Sequence, residues 1–267
     1  MENQFGKVSQ LYLTAGVKDG KTILEDISFT APFKVMHPFY EKKNLEGKDL
    51  MTIMPLIASA GIMDGDRQDF RIQVGEGARM EFVSQSYEKI YKMQTGHAER
   101  TAEITVGPNA CLYYTPLPTI PFAGSDYRST LTVDLADATS QLIYSEVLTC
   151  GRIAHGEEFL YHRFQNRILI RQGGRIIYRD NTCYEPERMP MTGFGMYEGF
   201  THLGTLVLVN APKSEDWIQR ARESLDEADR MEGGVTRTAQ GHVVVRILGM
   251  SGQKLTAKME ELLALEA

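Results

Sequence analysis

From Val8 to about Asn210 the chain is a succession of short alternating or continuous apolar runs, each closed by Gly, Asn, Asp or Pro. A period of two, or a brief unbroken apolar run between turn formers, predicts strands. The clearest are residues 10–13, 70–74, 80–83, 102–106, 131–135, 141–148, 167–171, 175–178 and 204–209. The uncharged run 50–60 predicts a further buried strand, ending in the turn Gly-Ile-Met-Asp-Gly-Asp at 61–66.

Stacking the turns shows a weak repeat. Val-Gly-Glu-Gly-Ala at 74–78 and Val-Gly-Pro-Asn-Ala at 106–110 lie 32 residues apart, and a degenerate third copy spans 133–138. Each supplies Gly, Asn or Asp where a positive φ is expected, between strands of similar length. One such unit cannot bury its apolar face alone, so the repeat points to a layered or helical β architecture; a sandwich meander would give a similar pattern.

The last quarter changes period. Ser214 is placed to cap a helix with Glu215 and Asp216 in its first turn and Trp217, Ile218, Ala221, Leu225 and Ala228 at helical spacing, up to a stop at Gly233 and Gly234. Residues 242–248 then read as a strand and 254–264 as a second helix, with Leu255, Met259, Leu262 and Leu263 apolar. No Pro- or Ser-rich linker intervenes. The expectation is one domain over 1–267, with a β body over about 1–212 and helix, strand and helix over about 213–267.

Composition adds little to this picture except by exclusion. The 267 residues are 42% hydrophobic and 24% charged, with 35 acidic against 29 basic side chains, so nucleic acid is not expected as the main partner. The uncharged stretch 104–125 is broken by Gly107, Pro108, Pro116, Pro118 and Pro121 and cannot form the self-satisfied helix that lipid demands. Residues 1–14 carry Glu2 and Lys7 and no continuous apolar core, so no secretory signal is read and a cytoplasmic protein is expected. Cys111, Cys150 and Cys183 are far apart, without Cys-x-x-Cys, and read as reduced, mostly buried thiols.

Candidate chemistry is sparse. There is no P-loop and no Gly-x-Ser-x-Gly elbow. The six histidines, at 37, 97, 155, 162, 202 and 242, lack metal-ligand spacing; His155, beside Glu157 and Glu158, is a weak candidate ligand. Glu146 is a lone carboxylate in the apolar run 142–148, where a charge must reach solvent or find a partner, and Arg152 is its nearest candidate. Asp66 either bonds its own turn amides or faces a polar path, and Ser84, Lys89 and Tyr91 follow the strand after the first repeated turn. The methionine-rich, Gly-broken segment 189–196 reads as a loop near an interface. Two other function classes fit these residues: a β-rich carbohydrate-active enzyme using Glu146 and Glu157 as a carboxylate pair, and a generic β-rich protein-binding module.

Taken in order, the Ala-Pro-Phe to His-Pro-Phe-Tyr segment at 31–40, Gly65 with Asp66, both Val-Gly turns, the stretch from Glu146 through Gly151, Arg152, Gly156, Glu157 and Glu158 to Phe159, and Val-Val-Val-Arg-Ile-Leu-Gly at 243–249 resemble the urease accessory protein family UreD, called UreH in some bacteria. The sequence departs from that pattern at Asp64 and at Pro116-Leu-Pro118. The resemblance implies a β-helix-like stack of many short strands with two helices in the C-terminal region. It implies a non-catalytic scaffold that binds UreF, indirectly the GTPase UreG, and apo-urease, with no tightly bound cofactor and nickel only in transit through an internal tunnel. On that reading Asp66, Ser84, Glu146, Glu157 and Glu158 line the ion path, and Lys89, Tyr91 and Arg152 balance charge or meet a partner.

Overall fold

A computed structural model describes residues 8–211 and 213–265. Residues 1–7, the first part of the segment 1–14 in which no secretory signal is read, and Pro212, the expected end of the β body, lie outside them. In chain order the strands are β1 (Ser9–Lys18), β2 (Lys21–Phe29), β3 (Phe33–Val35), β4 (Met51–Ile53), β5 (Pro55–Ile57), β6 (Arg67–Val74), β7 (Arg79–Phe82), β8 (Glu88–Ile90), β9 (Ala98–Val106), β10 (Cys111–Tyr114), β11 (Thr119–Pro121), β12 (Asp126–Leu135), β13 (Gln141–Thr149), β14 (Arg163–Gln172), β15 (Arg175–Tyr184) and β16 (His202–Val209). Helix α1 (Glu215–Asp226), β17 (Met231–Arg237), β18 (Val243–Gly249) and α2 (Gly252–Ala264) complete the chain.

The repeat is the scaffold. β6, β9 and β12 each run into a corner and emerge as β7, β10 and β13 in a second sheet, and each coil stacks in parallel on the one before. The result is a β-helix-like stack of open sheets: seven strands in the order β15-β14-β12-β9-β6-β1-β2 face nine in which β17-β18-β16-β13-β10-β7-β4 form the main path. At the corners Gly77 and Asn109 take φ of 69° and 54°, the left-handed conformation that the sequence anticipated. Successive corners hydrogen-bond to the coil below, Gly107 N–H to Val74 and Ala136 N–H to Val106. A Cβ on Gly107 would stand 2.9 Å from the Glu76 nitrogen, so this close stacking admits glycine alone.

Register turns the apolar runs into layers. Ile72, Ile104, Val133 and Ile170 lie on one rung of the seven-stranded sheet, facing a rung of Met80, Leu112, Leu142 and Val209 from the other. All eight are buried. The opposite face of the nine-stranded sheet carries both helices, whose Trp217, Ile218, Leu225, Leu255 and Met259 pack on Ile143, Leu206 and Val245. Ser214 and Ser251 cap them as acceptors from Trp217 N–H and Lys254 N–H. Trp217 Nε1–H donates to the Leu262 carbonyl at 3.0 Å, locking one helix to the other.

Three local expectations are corrected. Gly233 and Gly234 do not stop a helix; α1 ends at Asp226, and the glycines lie within edge strand β17, where a Cβ on Gly233 would meet the Arg246 carbonyl at 2.8 Å. The run 50–60 is two strands in different sheets, β4 beside β7 and β5 beside β3. Cys111 and Cys150 are buried as expected, but Cys183 is exposed on edge strand β15.

Candidate functional site: a polar layer between the sheets

Moving along the strands from the apolar rungs, the chemistry of the interior changes abruptly. Ser9, Gln68, Arg100, Ser129, Asn166 and Thr182, one from each of β1, β6, β9, β12, β14 and β15, are aligned by register across the seven-stranded sheet. They share parity with the buried Phe70, Ala102, Leu131 and Ile168 of the next rung, so they point inward. On the facing sheet the matching rung is Glu146, Thr205 and Arg246. Six strands of the first sheet and three of the second contribute, and the result is a polar layer crossing an otherwise apolar sandwich.

Buried polar groups must be satisfied, and these largely satisfy one another. Asn166 Nδ2 donates to Glu146 Oε2 at 2.6 Å, joining the two sheets. Arg246 pairs with Asp180 of β15, a second link between them. Arg100, its side chain only 11% exposed, donates Nε–H to Gln68 Oε1 at 2.8 Å and Nη1–H to Glu88 Oε2 at 2.8 Å, and stacks 4.6 Å over the Phe70 ring. Burial opposes the charge on Arg100, but the Glu88 carboxylate more than compensates and holds the guanidinium protonated. On Glu146 burial outweighs the hydrogen bonds of Tyr144 and Asn166 and the charge of Arg246, and pushes its carboxyl up to about 7.

The layer is not solidly filled. A void of about 60 Å³ is lined by Glu88, Arg100, Ser129, Tyr144, Glu146 and Asn166 among others. A second, of about 30 Å³, is lined by Ser84, Ser86, Glu88, Arg100 and Tyr114 and reaches the exposed Gln85. Each has room for water among polar partners. The first also shares Pro116, Leu117 and Val147 with a surface groove of about 640 Å³ between the 42–50 loop and α2. The three spaces are therefore neighbours, and Pro116, from the segment where the sequence departs from the family pattern, lines all of them.

The structure divides the sequence candidates into two groups. Glu146 and Ser84 line the voids. Asp66 accepts from Met63 N–H at 2.8 Å and closes its own turn, with burial pushing its carboxyl up. Arg152 does not partner Glu146: it pairs with Glu157 in the loop after β13, its Nε–H donating at 2.8 Å, and lies 4.0 Å over the Phe122 ring, while Tyr91 packs on Phe122 from β8's end. That contact holds the Glu157 carboxyl below the usual carboxylate range. The reason is local, because the turn at 151–156 folds Arg152 back over five residues instead of along the strand. Glu158, His155 and Lys89 are exposed. Among the described residues no three His, Cys, Asp or Glu side chains converge as a metal site, so nothing supports His155 as a ligand.

Gln68, Glu88, Arg100, Asn166, Asp180 and Arg246 were missed from sequence. A usable signal existed: the 32-residue offset between the Val-Gly turns also relates Gln68 to Arg100. Extending the repeat backwards along the strands would have aligned two polar residues on an inward-facing rung.

The chain matches the UreD urease accessory protein family over residues 7–267. It is 37% identical to urease accessory protein UreH of Helicobacter pylori strain J99 over 261 residues, 97% of this chain and 95% of that one. It is 38% identical to urease accessory protein UreD of Acetivibrio thermocellus over 255 residues, 96% of this chain and 95% of that one. This chain belongs to the UreD family of urease accessory proteins. Among the described residues no helix is long and apolar enough to cross a membrane.

Proposed function

We propose that this protein is a non-catalytic urease maturation factor of the cytoplasm, which binds apo-urease together with UreF, reaches the GTPase UreG through UreF, and lets nickel pass along the polar layer between its sheets. Family membership across the chain supports the maturation role. The observation that carries the path is the aligned rung of polar side chains with its two adjoining voids, because a buried polar layer lowers stability relative to an apolar one. Nickel is cargo here, and a wet lining of oxygen atoms that stops short of a closed ligand set suits an ion that must leave again. The carbohydrate-active alternative loses its carboxylate pair: Glu146 lies between the sheets, whereas Glu157 is bound to Arg152 in an end loop.

The test is co-expression of the urease operon with Glu146→Gln, followed by nickel analysis of purified urease and capture of UreF on the variant. The expected result is urease with several-fold less nickel while UreF is still captured, because the amide keeps the Asn166 contact and removes only the charge. Full nickel loading with Glu146→Gln would end the path reading, and full loading after deletion of the gene would end the maturation role altogether.

A further inference from the structure

The two voids of the polar layer do not simply run together. Both are bounded by Glu88, Arg100, Tyr114 and Pro116, so the Arg100–Glu88 pair stands at their shared wall. Arg100 is held from two sides, by Gln68 on its own sheet and by Glu88 from the short strand β8, and its aromatic platform Phe70 closes a third. Resting on the reading of the layer as an ion path, we propose that Arg100 is a displaceable plug: its guanidinium closes the passage between the voids, and a divalent cation crosses by taking its place beside Glu88.

Three physical points lead there. A fixed positive charge at the neck of a low-dielectric passage repels any second cation, so an ion cannot pass while Arg100 stays in place. The guanidinium sits on oxygen atoms, the Glu88 carboxylate and the Gln68 amide, which are also donors a divalent cation accepts, so the plug and the cargo compete for one position. Competition makes the cation's stay weak, and a transit site has to combine entry with release. The movement needs no change of backbone, because Arg100 can swing about its own side-chain torsions into either void.

The proposal makes a gain-of-function prediction that a merely structural ion pair does not. In the purified full-length protein, Arg100→Gln leaves the Glu88 carboxylate buried without its counter-ion, and nickel titration by calorimetry should show about one added site per chain, at least tenfold tighter than any in the wild type. The double variant Arg100→Gln with Glu88→Gln should lose that site again. Arg100→Lys, which keeps a cation but cannot span both partners, should bind nickel more strongly than wild type and serves if Arg100→Gln fails to fold. Nickel binding by a folded Arg100→Gln, or failing that by Arg100→Lys, that matches wild type would overturn the plug. Failure of the path itself is separate: it appears as full urease nickel loading with Glu146→Gln, whatever the Arg100 variants bind. Low loading with Glu146→Gln and unchanged nickel binding by the Arg100 variants would defeat the plug alone.

Discussion

The same four strands build a dry half and a wet half of the interior. On β6, β9, β12 and β14 the rung Ile72, Ile104, Val133 and Ile170 is sealed against the second sheet, whereas four residues earlier the rung Gln68, Arg100, Ser129 and Asn166 borders two voids. The separation is only ~13 Å along each strand at the usual rise. Backbone geometry and strand order are shared, so side-chain chemistry alone distinguishes the halves. Parallel register stacks like on like: a polar residue placed inward in each coil becomes a continuous layer. The dry half supplies cohesion, and the wet half is tolerated because its members bond across the gap.

The largest effect should come from breaking the dry half. Ile104→Ala removes a fully enclosed side chain from the middle of its rung and should cost about 2–5 kcal/mol of stability, read as a lower urea midpoint. A loss under ~1 kcal/mol would mean that the dry half is loosely packed, and the contrast between halves would be lost.

Next, the wet half should respond to pH. The Glu146 carboxyl, ordinarily near 4.5, is raised to about 7, so its stabilising contribution is complete below pH 4.5 and disappears as pH rises through 7. That swing is worth about 3 kcal/mol. His202, buried at the start of β16 with Thr201 Oγ1 2.8 Å from its Nδ1, behaves oppositely: burial lowers it from 6.5 to about 4, and its contribution is present above pH 6.5 and lost as pH falls through 4. The two slopes oppose each other between pH 4.5 and 6.5. Glu146→Gln should unmask a protein that becomes more stable with rising pH in that window and exceeds wild type by about 3 kcal/mol at pH 8. His202→Asn should show the reverse slope. Parallel pH curves for wild type and Glu146→Gln would place that carboxyl in ordinary solvent.

Gly107→Ala addresses what keeps the halves in register. Its added methyl would press on the Glu76 nitrogen and the Gly75 carbonyl carbon, at 2.9 and 3.1 Å, forcing two corners apart. A cost of about 1–3 kcal/mol in chemical denaturation is expected, and a neutral result would show that the corners are free to separate.

The dry half was legible in the sequence and most of the wet half was not, for a physical reason. Apolar residues announce burial by their period, so β6, β9, β12 and β13 could be read one at a time. Gln68, Arg100 and Asn166 each look like ordinary surface residues within their own strand, and only register between strands shows that they share an interior rung. Glu146 was found because its neighbours Leu142, Ile143, Val147 and Leu148 isolate it. The Arg152 partnership was misjudged because proximity in sequence is a poor guide once a turn intervenes. The helices came from caps and spacing, both local, and both were read correctly in kind, although Gly233 and Gly234 stop no helix and Gly233 instead lets edge strand β17 lie close against β18.

The smallest effect separates sequence candidates from structural ones. Asp66 was placed on the ion path by resemblance, yet its carboxylate is engaged by Met63 N–H in its own turn, outside both voids. Asp66→Ala should therefore cost about 1 kcal/mol, the value of one turn-closing hydrogen bond, detectable as a small shift in urea midpoint. Nickel loading of co-expressed urease should stay at the wild-type level, in contrast to Glu146→Gln. Equal losses of nickel in the two variants would show that the path leaves the polar layer and runs out past the 61–66 turn, and the boundary between wet and dry halves would have to be redrawn there.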